Sequence, residues 1–464
     1  MLFSTLNGLT TGSAILLGLA LLFVFAFEFV NGFHDTANAV ATVIYTNTLR
    51  PWVAVIWSGI CNFAGVFFGG IAVAYAIVHL LPVDMLVDIN TNAGLAMVFA
   101  LLSSAIIWNF GTWYVALPAS SSHALIGSIL GVGLANSMMS GHFGAGVNWR
   151  KAQEVGLSLI VSPLFGFICA AFLLLIIRKV ARTPILFTAP KPDTPPPFWT
   201  RMVLIFTCTG VSLAHGSNDG QKGVGMAMLI LIGLLPATYA LDLDASPQKM
   251  AAMTEAAEKL DDFLCLPGAA DHDPIHHSGR IREILSAKTS LSQVEPGQRW
   301  ELRSVVLHLD ADARDWVETL GPKLSPKEQA EIKKWRKQLV APTEYAPTWV
   351  LLAVALSLGI GTMIGWKRIV VTVGEKIGTS HLTYAQGASA ELVAMSTIGL
   401  AVYGGLPVST THVLSSAVAG TMVANRSGLQ MECIRKIALA WILTLPATML
   451  LAGAFLMLFR MFTG

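Results

Sequence analysis

The sequence predicts an all-α polytopic membrane protein. We expect two homologous repeats with broken helices or re-entrant hairpins; the basic linker between them and the number of apolar runs permit the repeats to be inverted, without showing it. Three observations predict this fold class. The 464-residue chain is 54% hydrophobic and 12% charged, with a mean hydropathy of +0.63, whereas soluble domains carry about a quarter charged residues. Its charge is also segregated: of 28 Asp and Glu, 18 fall between Leu241 and Tyr345. Finally, two polar motifs each occur twice, in the same order, on either side of a Pro-rich stretch.

Apolar runs lie near 13–30, 36–46, 52–81, 94–117, 123–140, 155–177, 199–214, 223–240, 347–366, 384–405, 411–424 and 437–459. Several approach the roughly 20 residues that cross a bilayer. Others are too short and open on polar, Gly-rich or Pro-containing sequence. Irregular backbone at membrane depth survives only inside protein or beside a water-filled cavity, so these runs read as broken segments. The organisation follows: 1–180 as the N-terminal membrane repeat, 181–198 as a linker, 199–240 as the start of the C-terminal repeat, 241–345 as a hydrophilic insert, and 346–464 as the rest of that repeat. Arg178, Lys179, Arg182, Lys191 and Arg201 surround the linker, and the positive-inside rule places it in the cytoplasm. The insert follows two short runs, which as a hairpin would return it to the same side. Its stretch SPKEQAEIKKWRKQL (325–339) reads as helix. With four histidines (His272, His276, His277, His308), it offers a thin basis for a metal site, and a solvated helical spacer is expected.

The first apolar run has no basic residue before it, so it is not read as a signal peptide. Cys61, Cys169, Cys208, Cys265 and Cys433 show no CxxC or Cys/His spacing, so neither a disulfide framework nor a zinc site is expected. A net charge of +2 gives no basis for a nucleic-acid partner. The partner implied by composition is membrane lipid.

The repeat is clearest in LPASSSHALIGSILGVGLA (117–135) against LPVSTTHVLSSAVAGTMVA (406–424), where seven of nineteen positions are identical. Pro118, Ser120 and His123 fall on Pro407, Ser409 and His412, while Ser121 and Ser122 fall on Thr410 and Thr411. The other pair is NGFHDTANA (31–39) against HGSNDGQKG (215–223), which superposes Asp35 on Asp219 and His34 on Asn218. Duplicated halves with polar, broken segments in corresponding places are the pattern of secondary transporters with a midplane site. Pro followed by hydroxyl residues predicts a helix start, with Ser or Thr capping free N–H groups. The same geometry makes an anion site from backbone N–H groups, the helix dipole and hydroxyl donors. Ser120, Ser121, Ser122, Ser409, Thr410 and Thr411 could converge on one tetrahedral oxyanion.

Ten acids lie outside the insert. Most, Glu391 among them, are assigned to loops or span ends, whereas Asp35 and Asp219 are placed inside. A carboxylate within a membrane marks an ion pathway by default. Two of them near an anion would repel it unless protons or metal ions bind too, which points to cotransport. Lys222, present in the second copy only, is a candidate neutralising charge. His34 is the side chain whose charge changes most readily near neutral pH. Glu28 lies seven residues before Asp35, on the same face of a continuing helix, where it relays protons, binds a cation or anchors the helix end. Glu375 and Lys376 are adjacent and able to satisfy one another. Asn38, Asn109, Gln221 and Gln386 are candidates for lining the site.

GFHDTANAVATVIYT, HGSNDGQKG, LPASSSH and LPVSTTH resemble, in this order, the signatures of the inorganic phosphate transporter (PiT) family, and look most similar to its bacterial low-affinity branch. The resemblance covers about three quarters of the chain. It implies about twelve membrane segments in inverted repeats, with phosphate held between them and moved with protons, often as a neutral divalent metal–phosphate complex. It implies that Asp35 and Asp219 handle cation and phosphate, including the metal, that Asn38 and Asn218 are motif asparagines, and that the hydroxyl stretches contact phosphate. Sodium-coupled members usually carry Asn where this chain has His34, so the resemblance favours protons as coupling ion. No cofactor would be bound permanently; a divalent metal such as Mg would travel with the substrate. The expected location is the inner (plasma) membrane, multi-pass, with a homodimer allowed. Alternatives are sodium coupling, another tetrahedral oxyanion such as sulfate or arsenate, a phosphate sensor using the insert as output, and an intramembrane Ser–His–Asp hydrolase. The hydrolase is disfavoured, because a triad is needed once and the hydroxyl–His motif occurs twice.

Overall fold

A computed structural model of the chain describes residues 10–80, 92–141, 144, 147–181, 183–191, 194–264, 277–320 and 324–463. Asp84, Asp88, Arg182, Asp193, Cys265, His272 and His276 lie outside the described residues. Within them the chain is helical, with one isolated bridge between Gly378 and Leu429. It divides into two compact units. One comprises Gly18–Met85, Thr91–Ala227 and Thr348–Gly464, and the other is built chiefly of Met228–Pro347.

The first unit opens with α1 (Thr11–Asp35) and α2 (Ala37–Tyr45), separated only by Thr36. The Thr36 hydroxyl donates to the carbonyls of Gly32 (2.6 Å) and Thr362 (2.9 Å). Next come α3 (Pro51–Phe68), which starts with Pro at its first position, and α4 (Ala72–Val78). Gly70 turns the chain between them with φ +66, a conformation that costs a glycine little. Then follow α5 (Asn92–Tyr114), α6 (Ser121–Met139), α7 (Trp149–Val180) and α8 (Phe198–Leu234). The insert region carries α9 (Pro236–Tyr239), α10 (Pro247–Leu264), α11 (His277–Leu285), α12 (Pro296–Leu320) and α13 (Pro326–Val340). The chain ends with α14 (Thr348–Met363), α15 (Lys367–Glu375), α16 (Tyr384–Tyr403), α17 (Thr410–Ala424) and α18 (Met431–Thr463). Among the described residues, six helices are long and apolar enough to cross a membrane, with α1 and α2 counted as one, and α14–α15, bent by 64°, would make a seventh. The protein is a multi-pass membrane protein.

The hairpin expected in the second half is corrected. The runs 199–214 and 223–240 do not form a hairpin; α8 passes unbroken through HGSNDGQKG. At helical spacing Asp219 meets Lys222 three residues on (2.7 Å), so the polar groups satisfy one another without a break in the backbone. The reasoning that put the insert on the linker's side thereby loses its premise.

The two sequence repeats exchange partners. Helix α6 of the first packs along α18 of the second, and α17 of the second along α7 of the first. The contacts are made at matched glycines: Gly131 abuts the backbone of Met449, and its repeat partner Gly420 abuts that of Phe167. Likewise Gly32 presses on the backbone of α14 and Gly216 on that of α3. Helices α3 and α14 cross reciprocally. A Cβ on Gly59 would lie 2.8 Å from the Gly359 carbonyl, and one on Gly359 would lie 3.0 Å from that of Gly59. Lipid gives no hydrophobic drive to helix pairing, so small residues that let backbones approach decide it. The long helices α7 and α18 each carry a proline in their interior, Pro163 and Pro446.

The second unit is a packed helical bundle rather than a solvated spacer. Met253, Leu260, Ile281, Leu302, Val306, Ile332 and Leu339 form its core. Buried Arg303 donates to the carbonyls of Ala240 (3.1 Å) and Thr343, tying the two ends of the insert together. Asp242 N–H closes the same neck on Pro342 O at 2.8 Å. The expected helix at 325–339 is α13, started by a Ser325–Glu328 capping box. His277 lies 3.1 Å from Asp312.

Candidate functional site

The polar residues of both motif pairs meet in the first unit. Helix α1 delivers Asp35 at its last residue, α8 delivers Asp219 mid-helix, α6 brings its N-terminus to both, and α17 brings its own to Asp35. Ser120 and Ser409 cap those helices in extended backbone, accepting from the N–H groups of His123 (3.2 Å) and His412 (3.1 Å). The residues after the caps reach the acids. Ser121 Oγ is shared between them, 3.1 Å from Asp35 Oδ2 and 3.2 Å from Asp219 Oδ2. Thr411 donates to Asp35 Oδ1 (2.8 Å) and Thr410 approaches Asp35 Oδ2 (3.4 Å). Asn38 Nδ2 donates to Thr411 (3.0 Å) and reaches Thr410 (3.5 Å).

Lys222 is fully buried, with Nζ 2.7 Å from Asp219 Oδ1 and 2.5 Å from Ser122 Oγ. Ser122 donates to Val408 O (2.9 Å), and Asn218 donates to Asp219 Oδ1 (2.6 Å) and to Val408 O (3.0 Å). His34 uses both ring nitrogens, Nδ1 at 2.9 Å from Asp35 Oδ1 and Nε2 at 3.1 Å from Thr112 Oγ1. Charges this deep persist only when paired and hydrogen-bonded.

Every candidate of the hydroxyl and Asp motifs is therefore buried in one cluster, Ser120 and Ser409 as its capping residues. Glu28 is also fully buried, but neither of its oxygens has a well-formed hydrogen bond among the described residues. The remaining candidates stand apart. Gln386 belongs to the capping box of α16, Gln221 donates to Val66 O (2.9 Å), and Asn109 is buried with no partner for its amide among the described residues. Glu375, at the exposed end of α15, faces Tyr45 rather than Lys376.

Three features were missed in the sequence. His215 hydrogen-bonds Asn62 (2.9 Å) and lies 3.5 Å from Asp219 and 3.8 Å from Asp35. With those two acids it offers ligand atoms within 4.8 Å of one another, a set able to hold a cation. Its signal was present: in the motif alignment it replaces Asn31, just as Asn218 replaces His34. The second is Glu391, which is not at a span end. It is fully buried in α16 and accepts from Thr42 on α2 and from Thr207 on α8 (2.5 Å). The third is the motif histidines, whose rings face each other, His123 and His412 having centroids 4.5 Å apart.

The chain matches the model of the phosphate transporter family over residues 31–452. It is 43% identical to the low-affinity inorganic phosphate transporter PitA of Escherichia coli (strain K12), covering 96% of this chain and 97% of that protein. It is 42% identical to a low-affinity inorganic phosphate transporter of Buchnera aphidicola subsp. Acyrthosiphon pisum, with 95% and 96% covered. The relatives are named as transporters, not enzymes. A solved structure described as "The sodium-dependent phosphate transporter" shares the fold, with a TM-score of 0.56 at 19% identity over 96% of this chain and 99% of that one. Similarity of this extent, spanning both motif pairs and the helices that bring them together, makes the chain a member of the phosphate transporter family.

Proposed function

We propose that the protein moves inorganic phosphate across the bacterial inner membrane together with protons, as a divalent metal–phosphate complex, by alternating access between inverted repeats. The observation that carries this reading is the shared hydroxyl of Ser121, which links Asp35 and Asp219 within one buried cluster. Asp35, Asp219 and His215 suit the metal of the cargo, since two carboxylates and an imidazole are ligands for a divalent ion. Ser121, Thr410 and Thr411 now spend their protons on the acids. A cation on the carboxylates would take over that role and release the hydroxyls to donate to phosphate oxygens. Lys222 and the N-termini of α6 and α17 add positive potential at the same point. Binding in this order, cation before anion, removes the repulsion between carboxylate and phosphate.

The partner exchange between α6–α18 and α17–α7 supports the inverted arrangement. Asp35→Asn and Asp219→Asn are each expected to abolish uptake of labelled phosphate while the protein still reaches the membrane; normal uptake in both sinks the site. In vesicles of purified protein, uptake should follow a pH gradient, require a divalent ion and need no sodium. Strict sodium dependence overturns the coupling.

A further inference from the structure

Glu28 sits on α1, two turns before Asp35, with no solvent exposure. Neither carboxylate oxygen has a well-formed hydrogen bond among the described residues, and the amide of its buried neighbour Asn31, one turn on, is the neutral side chain that bears on it. The other acids buried in this unit are satisfied: Asp35 by Ser121, Thr411 and His34, Asp219 by Lys222 and Ser121, and Glu391 by Thr42 and Thr207. An ionised carboxylate at membrane depth without a well-formed hydrogen bond is uncompensated, and taking up a proton is its least costly relief. The space is also tight. Helix α8 passes so close that a Cβ at Gly223 would lie 2.6 Å from Glu28 Cδ, which leaves room for a proton rather than a hydrated ion.

We propose that Glu28, with Asn31 beside it, is a proton site distinct from the Asp35–His215–Asp219 centre, and that the coupling proton crosses on the Glu28 carboxyl. This rests on the proton-coupled reading above and moves its proton away from His34, whose two nitrogens are already engaged. The carboxylate takes a proton from water on one side, and on the other the O–H bond breaks and the proton returns to water. The charged groups facing Glu28 are His215, Asp219 and Lys222 of α8, with Asp35 farther along its own helix. They make the link to substrate: an anion bound among them draws the proton onto Glu28, and its departure releases it.

Glu28→Gln keeps the shape and is permanently neutral. In proteoliposomes it should retain phosphate counterflow, which needs no net proton movement, and lose both pH-gradient-driven accumulation and phosphate-dependent proton uptake; Glu28→Asp should keep them. Accumulation of phosphate by Glu28→Gln overturns the proposal, as does loss of counterflow in a variant that melts like wild type. Asn31→Leu tests it independently, with an expected displacement of about one pH unit in the midpoint of accumulation; an unmoved midpoint overturns it. Wild-type protein that moves phosphate without protons overturns the coupling reading as well, whereas these variant results overturn only the assignment of Glu28.

Discussion

Glu391 is the plainest case of one residue holding helices together. Its carboxylate is the acceptor for hydroxyls from two other helices, α2 and α8, at a fully buried position. Removing a partner from a buried polar group costs about 1–3 kcal/mol for each group left unsatisfied. Glu391→Ala orphans the Thr42 hydroxyl, while that of Thr207 keeps the Leu204 carbonyl as acceptor (3.1 Å), so a loss of roughly 1–3 kcal/mol is expected from that cost. Glu391→Gln keeps an acceptor for one hydroxyl and should lose less. Thermal unfolding of the purified variants should order them wild type, Gln, Ala, and an Ala variant that melts with wild type contradicts the role. The residue was assigned to a span end because hydropathy marks an acid as an interruption. That the interruption was answered by Thr42 and Thr207, 349 and 184 positions away, is information about packing that one sequence does not carry.

Individual helices join through glycines, and this determines which substitutions they tolerate. Gly131 and Gly420 hold repeat-equivalent backbone contacts, to α18 and α7 respectively. Gly131→Val and Gly420→Val should each push their helix pair apart at about 1–3 kcal/mol, the usual cost of overpacking. The two effects should be similar, and a neutral result at either site would break the equivalence. In the insert, burial and nearby Asp310 push Glu344 up to about 7, against opposing Arg303 and Arg336. A raised carboxyl holds its proton in the folded state, so its contribution is complete below about pH 4.5 and is lost as pH rises through 7. The loss is at most about 3 kcal/mol. Amide exchange in α12 and α13, corrected for intrinsic rate, should speed up from pH 5 to pH 8 in wild type and respond less in Glu344→Gln; equal response contradicts it. Much of this level was legible: Ser120 and Ser409 read as caps and are caps, and the helix at 325–339 is present. The break expected within 199–240 was misread, because a polar stretch looks like a loop until Asp219 is seen to meet Lys222 along one helix face.

At the scale of the molecule, the sequence repeat marks two halves, yet the packing joins α6 to α18 and α17 to α7, across the halves. The duplication was readable because hydroxyls, Pro and His recur in order. The exchange was not, because the glycines that direct it contact backbone far away in sequence. It changes what moves. If transport slid one sequence half against the other, α6 would shift along α18; if the exchanged pairs are the rigid bodies, α6 and α18 travel together. A Cβ at Gly453 on α18 would lie 3.5 Å from that of Ala135 on α6, within the range a disulfide accepts. Ala135→Cys with Gly453→Cys, in a background without the native cysteines, should therefore crosslink on oxidation, with the bond verified by peptide mass. Phosphate uptake by the crosslinked protein is expected to match that of the same protein after reduction. Uptake that disappears on oxidation and returns on reduction would mean instead that the halves themselves move, with the α6–α18 contact as the sliding surface.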